Sequence, residues 1–187
     1  GGGLQALGWN ERVAQADTAA FAAHEQAAGM PGFRVFERRD AGVADAGDVD
    51  AQVIRFIEPL APNAQALGVN TQSIARARVA IAQAARSGRP VVSAGFTLTQ
   101  GGTGVVLYQA VYRGQPTTAE QRVAALRGVV FATLRPGEVL RSVDATLRSS
   151  MKLCLLDNDA SPPARLLTGA PGCDDLPAYT PLHGVGA

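Results

Sequence analysis

Residues 89–112, RPVVSAGFTLTQGGTGVVLYQAVY, decide how the rest of the chain reads. Residues 91–98 are β-branched and apolar, 100–104 are turn material, and 105–112 are apolar and aromatic again. The pattern predicts two antiparallel strands joined by a glycine turn. Immediately before them stands the clearest helix of the sequence, over 71–87. Asn70 or Thr71 can cap its first amides, and Ile74, Ala77, Ile81 and Ala84 or Ala85 recur on one face. Gly88 suits the left-handed position after its last turn, and Pro90 forbids continuation. A helix that delivers the chain into a central hairpin can build a pocket on one face of a sheet. The expectation is a small-molecule sensor.

Toward the N-terminus, FRVFER (33–38) and VIRFIE (53–58) read as strands separated by a Gly/Ala/Asp-rich loop over 40–50. Pro59 ends the second, because it cannot donate to a ladder. Residues 4–28 are alanine-rich and free of proline, with Trp9, Val13, Ala16 and Ala20 at helical spacing. They predict a long helix, stopped by Gly29 and Pro31-Gly32, that is either a stalk or an ordinary packed helix. Toward the C-terminus, the polar RGQPTT (113–118) marks a boundary. A short helix, a strand over 128–134, a helix from Pro136, and strands over 151–156 and 164–168 follow, and then an irregular tail. The fold class expected is α+β: an N-terminal helix over 1–30, then two units, 31–115 and 116–187, each an antiparallel sheet flanked by helices.

The chain has 187 residues, 47% of them hydrophobic, enough to bury a core as one domain or two small ones. Its 17 basic and 16 acidic residues give a net charge of +1, which argues against the clustered cationic surface that nucleic acid requires. No apolar run approaches the ~20 residues that span a bilayer, and no signal peptide is present. Opening on Gly1-Gly2-Gly3 without methionine, the chain reads as a soluble piece of something longer.

Catalytic, metal and cofactor sites are not expected. The histidines are His24 and His183, and no metal-spaced Cys/His set, HExxH helix or GxSxG elbow occurs. Gly101, Gly102 and Gly104 lead into a strand with no lysine nearby, so they read as a hairpin turn rather than a phosphate loop. Lys152, the single lysine, falls within a strand. Cys154 in MKLCLLD and Cys173 in PGCDD are either two unrelated thiols or a disulfide, worth roughly 3 kcal/mol in an oxidising compartment.

Six segments then resemble the CHASE domain, the extracytoplasmic sensory module of receptor histidine kinases and nucleotide cyclases. They are LGWNERV (7–13), IEP with NAQALGVN (57–70), AARSGRPVVS (84–93), GVVLYQAVY (104–112), RGVVFATLRPGEVL (127–140) and MKLCLLD (151–157). The resemblance implies a stalk helix and two stacked PAS-like subdomains, the membrane-distal one holding a ligand. It implies a place between two transmembrane helices and a homodimer through the stalk. In plant receptors of the family the ligand is a cytokinin, an N6-substituted adenine, held by an aspartate before the long helix and by backbone of the following strand. The matching positions here are Asn70 and the segment around Val92.

Asn70 offers one acceptor and two donors without charge, so it either reads a purine edge or caps the helix. The candidate ligand-binding set is Phe56, Leu67, Asn70, Val92, Ser93, Tyr108, Ala110 and Tyr112. Side chains alternate along a strand, so either Leu107, Gln109 and Val111 or Tyr108, Ala110 and Tyr112 face a pocket. The second set is preferred because the small Ala110 between two tyrosines leaves room for a planar ring. The Ala, Arg and Gly content points to a bacterial chain, and the expected location is the periplasmic portion of an inner-membrane receptor. The alternative is an interaction or dimerisation module without a ligand, its hairpin face simply core. Val91, Phe96 and Val106 are buried on both readings; an enclosed pocket with polar lining separates them.

Overall fold

The structure is a computed structural model that describes residues 3–38, 49–99, 101–144, 153–159, 165–169 and 172–173. Leu4–Val13 is a strand, β1, and not the first half of a long helix. The residues it turns toward the core are Ala6, Gly8 and Asn10, small or polar, while the bulky Leu7 and Trp9 lie on the other face. Its alternation in hydrophobicity is therefore inverted, and the helical spacing of Trp9, Val13 and Ala16 misleads. What stabilises the strand is its central position: both edges are paired, with neighbours at residues 51–58 and 126–134. The expected helix shrinks to Thr18–Ala27 (α1), after a 3-10 turn at Gln15–Asp17.

The chain continues through β2 (Phe36–Glu37), β3 (Ala51–Glu58), the one-turn α2 (Leu60–Asn63) and β4 (Val69–Asn70). A 3-10 turn over Thr71–Ser73 leads into α3 (Ala75–Ser87), which ends on Gly88 at φ 73°. This is the helix the sequence predicts, with Ala77, Ala80, Ile81, Ala84 and Ala85 buried. The hairpin follows as β7 (Thr103–Tyr112) paired with two short pieces, β5 (Val91–Val92) and β6 (Phe96–Thr97), so its first strand is interrupted at 93–95. Next come α4 (Ala119–Ala125), closed by a capping box of Thr118 and Gln121, then β8 (Leu126–Leu134) and α5 (Pro136–Asp144). Last are β9 (Leu155–Leu156) and β10 (Leu166–Thr168). Residues 40–48 of the sequence-expected 40–50 loop, the residues beyond 144 of the last helix, the first residues of the 151–156 strand and most of the tail lie outside the described residues.

The main sheet has eight strands in the order β2-β4-β3-β1-β8-β7-β5, with β6 also on β7. Among the described residues only β2 and β4 run parallel. The boundary expected between residues 115 and 116 falls inside this sheet, because β8 is inserted between β1 and β7. β9 and β10 form a separate two-stranded sheet. α3 covers the inner face of the main sheet, and Ala77, Ile81 and Ala84 pack there with Tyr108, Val129 and Phe131. α1 and the following loop cover one end of the outer face, where Phe21 and Phe33 meet Val13, Ala51 and Val53. Arg55 fastens α1 down: its guanidinium pairs with Glu25 at 2.8 Å and Glu11 at 3.3 Å. The rest of the outer face leaves Leu7, Phe56 and Val130 exposed. Among the described residues no helix is long and apolar enough to cross a membrane.

Candidate functional site

A cavity of about 40 Å³ lies between the inner face of the sheet and the segment that runs into α3. Ile54 and Ile57 of β3, Val106 and Tyr108 of β7 and Phe131 of β8 form its floor. Ala66, Val69 and Ile74 form its roof, and Phe96, Leu98 and Thr99 close one side. Two backbone details shape it. Trp9 pairs with Phe56 but Asn10 pairs with Ile54, so Arg55 is an extra residue in β3. That bulge lets Ile54 and Ile57, three positions apart, both face inward. At Gly8 any side chain would collide with the Phe131 ring and the Phe56 carbonyl, so glycine there allows Phe131 to lie across β1.

The polar lining is Asn10, Thr71, Thr99, Thr133 and the phenol of Tyr108, and among the described residues none of the lining side chains is charged. The Asn10 amide nitrogen donates to Thr71 Oγ1 at 3.0 Å, and the Thr71 hydroxyl donates to the Gln52 carbonyl at 2.9 Å. Having given its proton to Gln52, that hydroxyl can only accept from Asn10, which fixes the asparagine's orientation. Asn10 Oδ1 is left buried without a donor among the described residues. The outer wall is pinned by Arg38, whose guanidinium donates to Thr99 Oγ1 at 2.9 Å and the Thr97 carbonyl at 2.8 Å. Burial pushes the Tyr108 phenol well above its ordinary pKa.

Of the expected set, Tyr108 lines this cavity. Ala110 and Tyr112 share its face, as the parity argument requires. Ala110 is packed in the core, while the Tyr112 hydroxyl donates to the carbonyls of Ala84 and Ala85 at the end of α3. Leu67 packs at the margin of both apolar clusters. Asn70 is buried beside the cavity, and its Oδ1 accepts from Gln52 N at 3.0 Å and Gln72 N at 3.1 Å. It acts as the helix-start cap, with its side-chain oxygen turned to protein amides. Phe56, 53% exposed, lies on the opposite face of the sheet under the Arg55 guanidinium.

Ser93 binds the Val106 backbone in both directions, N–H to carbonyl at 2.8 Å and Val106 N–H to Oγ at 3.0 Å. Its amide is therefore occupied. Val92 and Ser93 line a second groove, of about 580 Å³, with Arg76 and Val79 of α3 and with Asp157 and Leu167 at the small sheet. Cys154 and Cys173 are joined in a disulfide, with Cα atoms 6.4 Å apart.

Asn10, Thr133 and Phe131 are the lining residues that sequence reasoning does not reach. A polar residue midway along β1 signals a site only once residues 4–13 are known to be a strand. A family model described as the CHASE domain matches residues 2–167. No curated protein matches the chain.

Proposed function

Because the chain belongs to the CHASE domain family, an extracellular sensor module of signalling receptors, we propose that its cavity between the sheet and α3 is the site where a small molecule is sensed. The observation that carries this reading is a buried acceptor without a donor among the described residues, Asn10 Oδ1, on a largely apolar wall. An unpaired buried polar group costs about 1–3 kcal/mol, a cost that a ligand's donor removes. The cavity as it stands admits a guest of a few heavy atoms. A planar ring of purine size requires the Phe96–Thr99 side to move outward. That side is the lightest wall, resting on the two-residue β6 and the hydrogen bonds of Arg38.

In the parent protein the domain faces the periplasm of a bacterial inner-membrane receptor with a histidine kinase or nucleotide cyclase output, working as a homodimer. The disulfide agrees with an oxidising compartment. On this reading the small sheet of β9 and β10 belongs to the membrane-proximal part of the domain. A pairing stalk helix does not reside in residues 4–13, which are a central strand. The test is a thermal-shift screen against adenine, cytokinins, other small neutral heterocycles, amino acids and carboxylates, followed by amide shift mapping of each hit. A hit is expected to raise Tm and to move the signals of Ile54, Ile74 and Val106. Shifts confined to Arg76, Val79 and Leu167 would place the ligand in the second groove and end this assignment.

The second reading, an interaction module without a ligand, is favoured by the outer sheet face, where Leu7 is 51% and Phe56 53% exposed. It predicts no hit in the screen and a mass in solution above that of the monomer.

A further inference from the structure

We propose that Asn10 is the anchoring acceptor of the cavity, and that the ligand is a small, neutral molecule presenting one N–H or O–H donor to it. This rests on the cavity being the ligand site. Asn10 is 0% exposed and lies on the cavity wall, at the middle of the strand whose two edges are both paired. Its amide nitrogen is committed to Thr71, whose hydroxyl is committed in turn to the Gln52 carbonyl. The two links hold the side chain in one orientation, with one amide N–H spent on Thr71 and Oδ1 buried without a donor among the described residues, and that oxygen can only accept. A ligand group opposite it must therefore donate. An acceptor placed there would set two lone pairs against each other in a buried space.

The remaining lining fixes the rest of the chemistry. Ile54, Ile57, Val69, Val106 and Phe131 offer apolar contact, and no lining side chain among the described residues carries a charge. A carboxylate, phosphate or ammonium taken into this space would lose its hydration without gaining a counter-charge, a cost of several kcal/mol per ion. Amino acids, organic acids and phosphorylated metabolites are therefore the wrong class. The site suits a neutral ring or short chain with a single donor on one edge. This differs from the expectation built on Asn70, whose oxygen already accepts from Gln52 N and Gln72 N.

The experiment uses matched probes on the unaltered chain, rings whose entry displaces the Phe96–Thr99 side: phenol against anisole, and indole against N-methylindole, with benzoate as the charged member. Each is titrated while the amide signals of Ile54, Ile74 and Val106 are followed. Phenol and indole are expected to bind about tenfold more tightly than their donor-free partners, and benzoate is expected not to bind. In Asn10→Leu, the two members of each pair are expected to bind alike. The ligand pairs decide the matter on the unaltered chain even if that variant does not fold. Equal binding within each pair, or preferred binding of benzoate, overturns the assignment to Asn10 and leaves the cavity as ligand site intact. If no probe moves the cavity signals at millimolar concentration, the reading of the cavity as a ligand site fails and this proposal falls with it.

Discussion

Asn70 reads from the sequence either as a helix cap or as a reader of a ligand's edge, and its side-chain oxygen is engaged in the first of these. Its position before α3 is legible from the sequence, because Asn, Thr, Ser and a following apolar stripe announce a helix start. The sequence cannot say which way the side-chain oxygen points. Here it closes the protein's own amides, joining β3 to the entry of α3. Asn70→Ala is therefore expected to cost about 2 kcal/mol of stability through two orphaned N–H groups, measured by urea denaturation. An unchanged midpoint would mean that these amides find other partners. Tyr108, by contrast, is both buried and on the cavity wall, as the hairpin parity implies. Burial raises its folded pKa above the unfolded value of about 10. Its contribution to stability is therefore complete below pH ~10 and is lost as the pH rises beyond that. Comparing denaturation midpoints at pH 8 and 11, the loss at alkaline pH should be smaller in Tyr108→Phe than in the parent. Equal losses would contradict the desolvation argument.

At the scale of elements, α3 and the hairpin are legible because their signals are local: a cap, an apolar stripe, a left-handed glycine and a turn. β1 is not, because its reasons for being a strand lie at residues 51–58 and 126–134. α1 likewise owes its place to a contact that no local pattern announces. Glu25, 1% exposed, is held by Arg55. Arg55→Met should leave that carboxylate buried without its partner and cost about 3 kcal/mol. The double variant with Glu25→Leu should recover most of the loss; a double variant no more stable than the single would refute the pairing as the cause. The small sheet depends on a covalent tie between Cys154 and Cys173. Alkylation of native protein without reductant should modify neither thiol, as read by intact mass. Reduction should speed hydrogen exchange in β9 and β10 while leaving β1, β7 and β8 protected. Faster exchange across the main sheet would show that the bond supports the whole molecule.

For the molecule as a whole, the arrangement of β8 between β1 and β7 bears on any attempt to divide it. A fragment of residues 1–115 matches the sequence-expected unit but lacks the strand that joins its two halves. It is expected to show no cooperative thermal transition, whereas residues 1–144 should unfold in one step; a folded 1–115 fragment would refute the integral sheet. The same topology sets an order of events in time. Trp9 finds its neighbour Val130 only after nearly the whole described sheet has been made. A chain that emerges N-terminus first carries its future central strand with one edge unpaired until residue 134 arrives. Such long-range closure is slow, and an open strand edge recruits other chains while it waits. The interval before β8 arrives is therefore the stage of folding most exposed to aggregation.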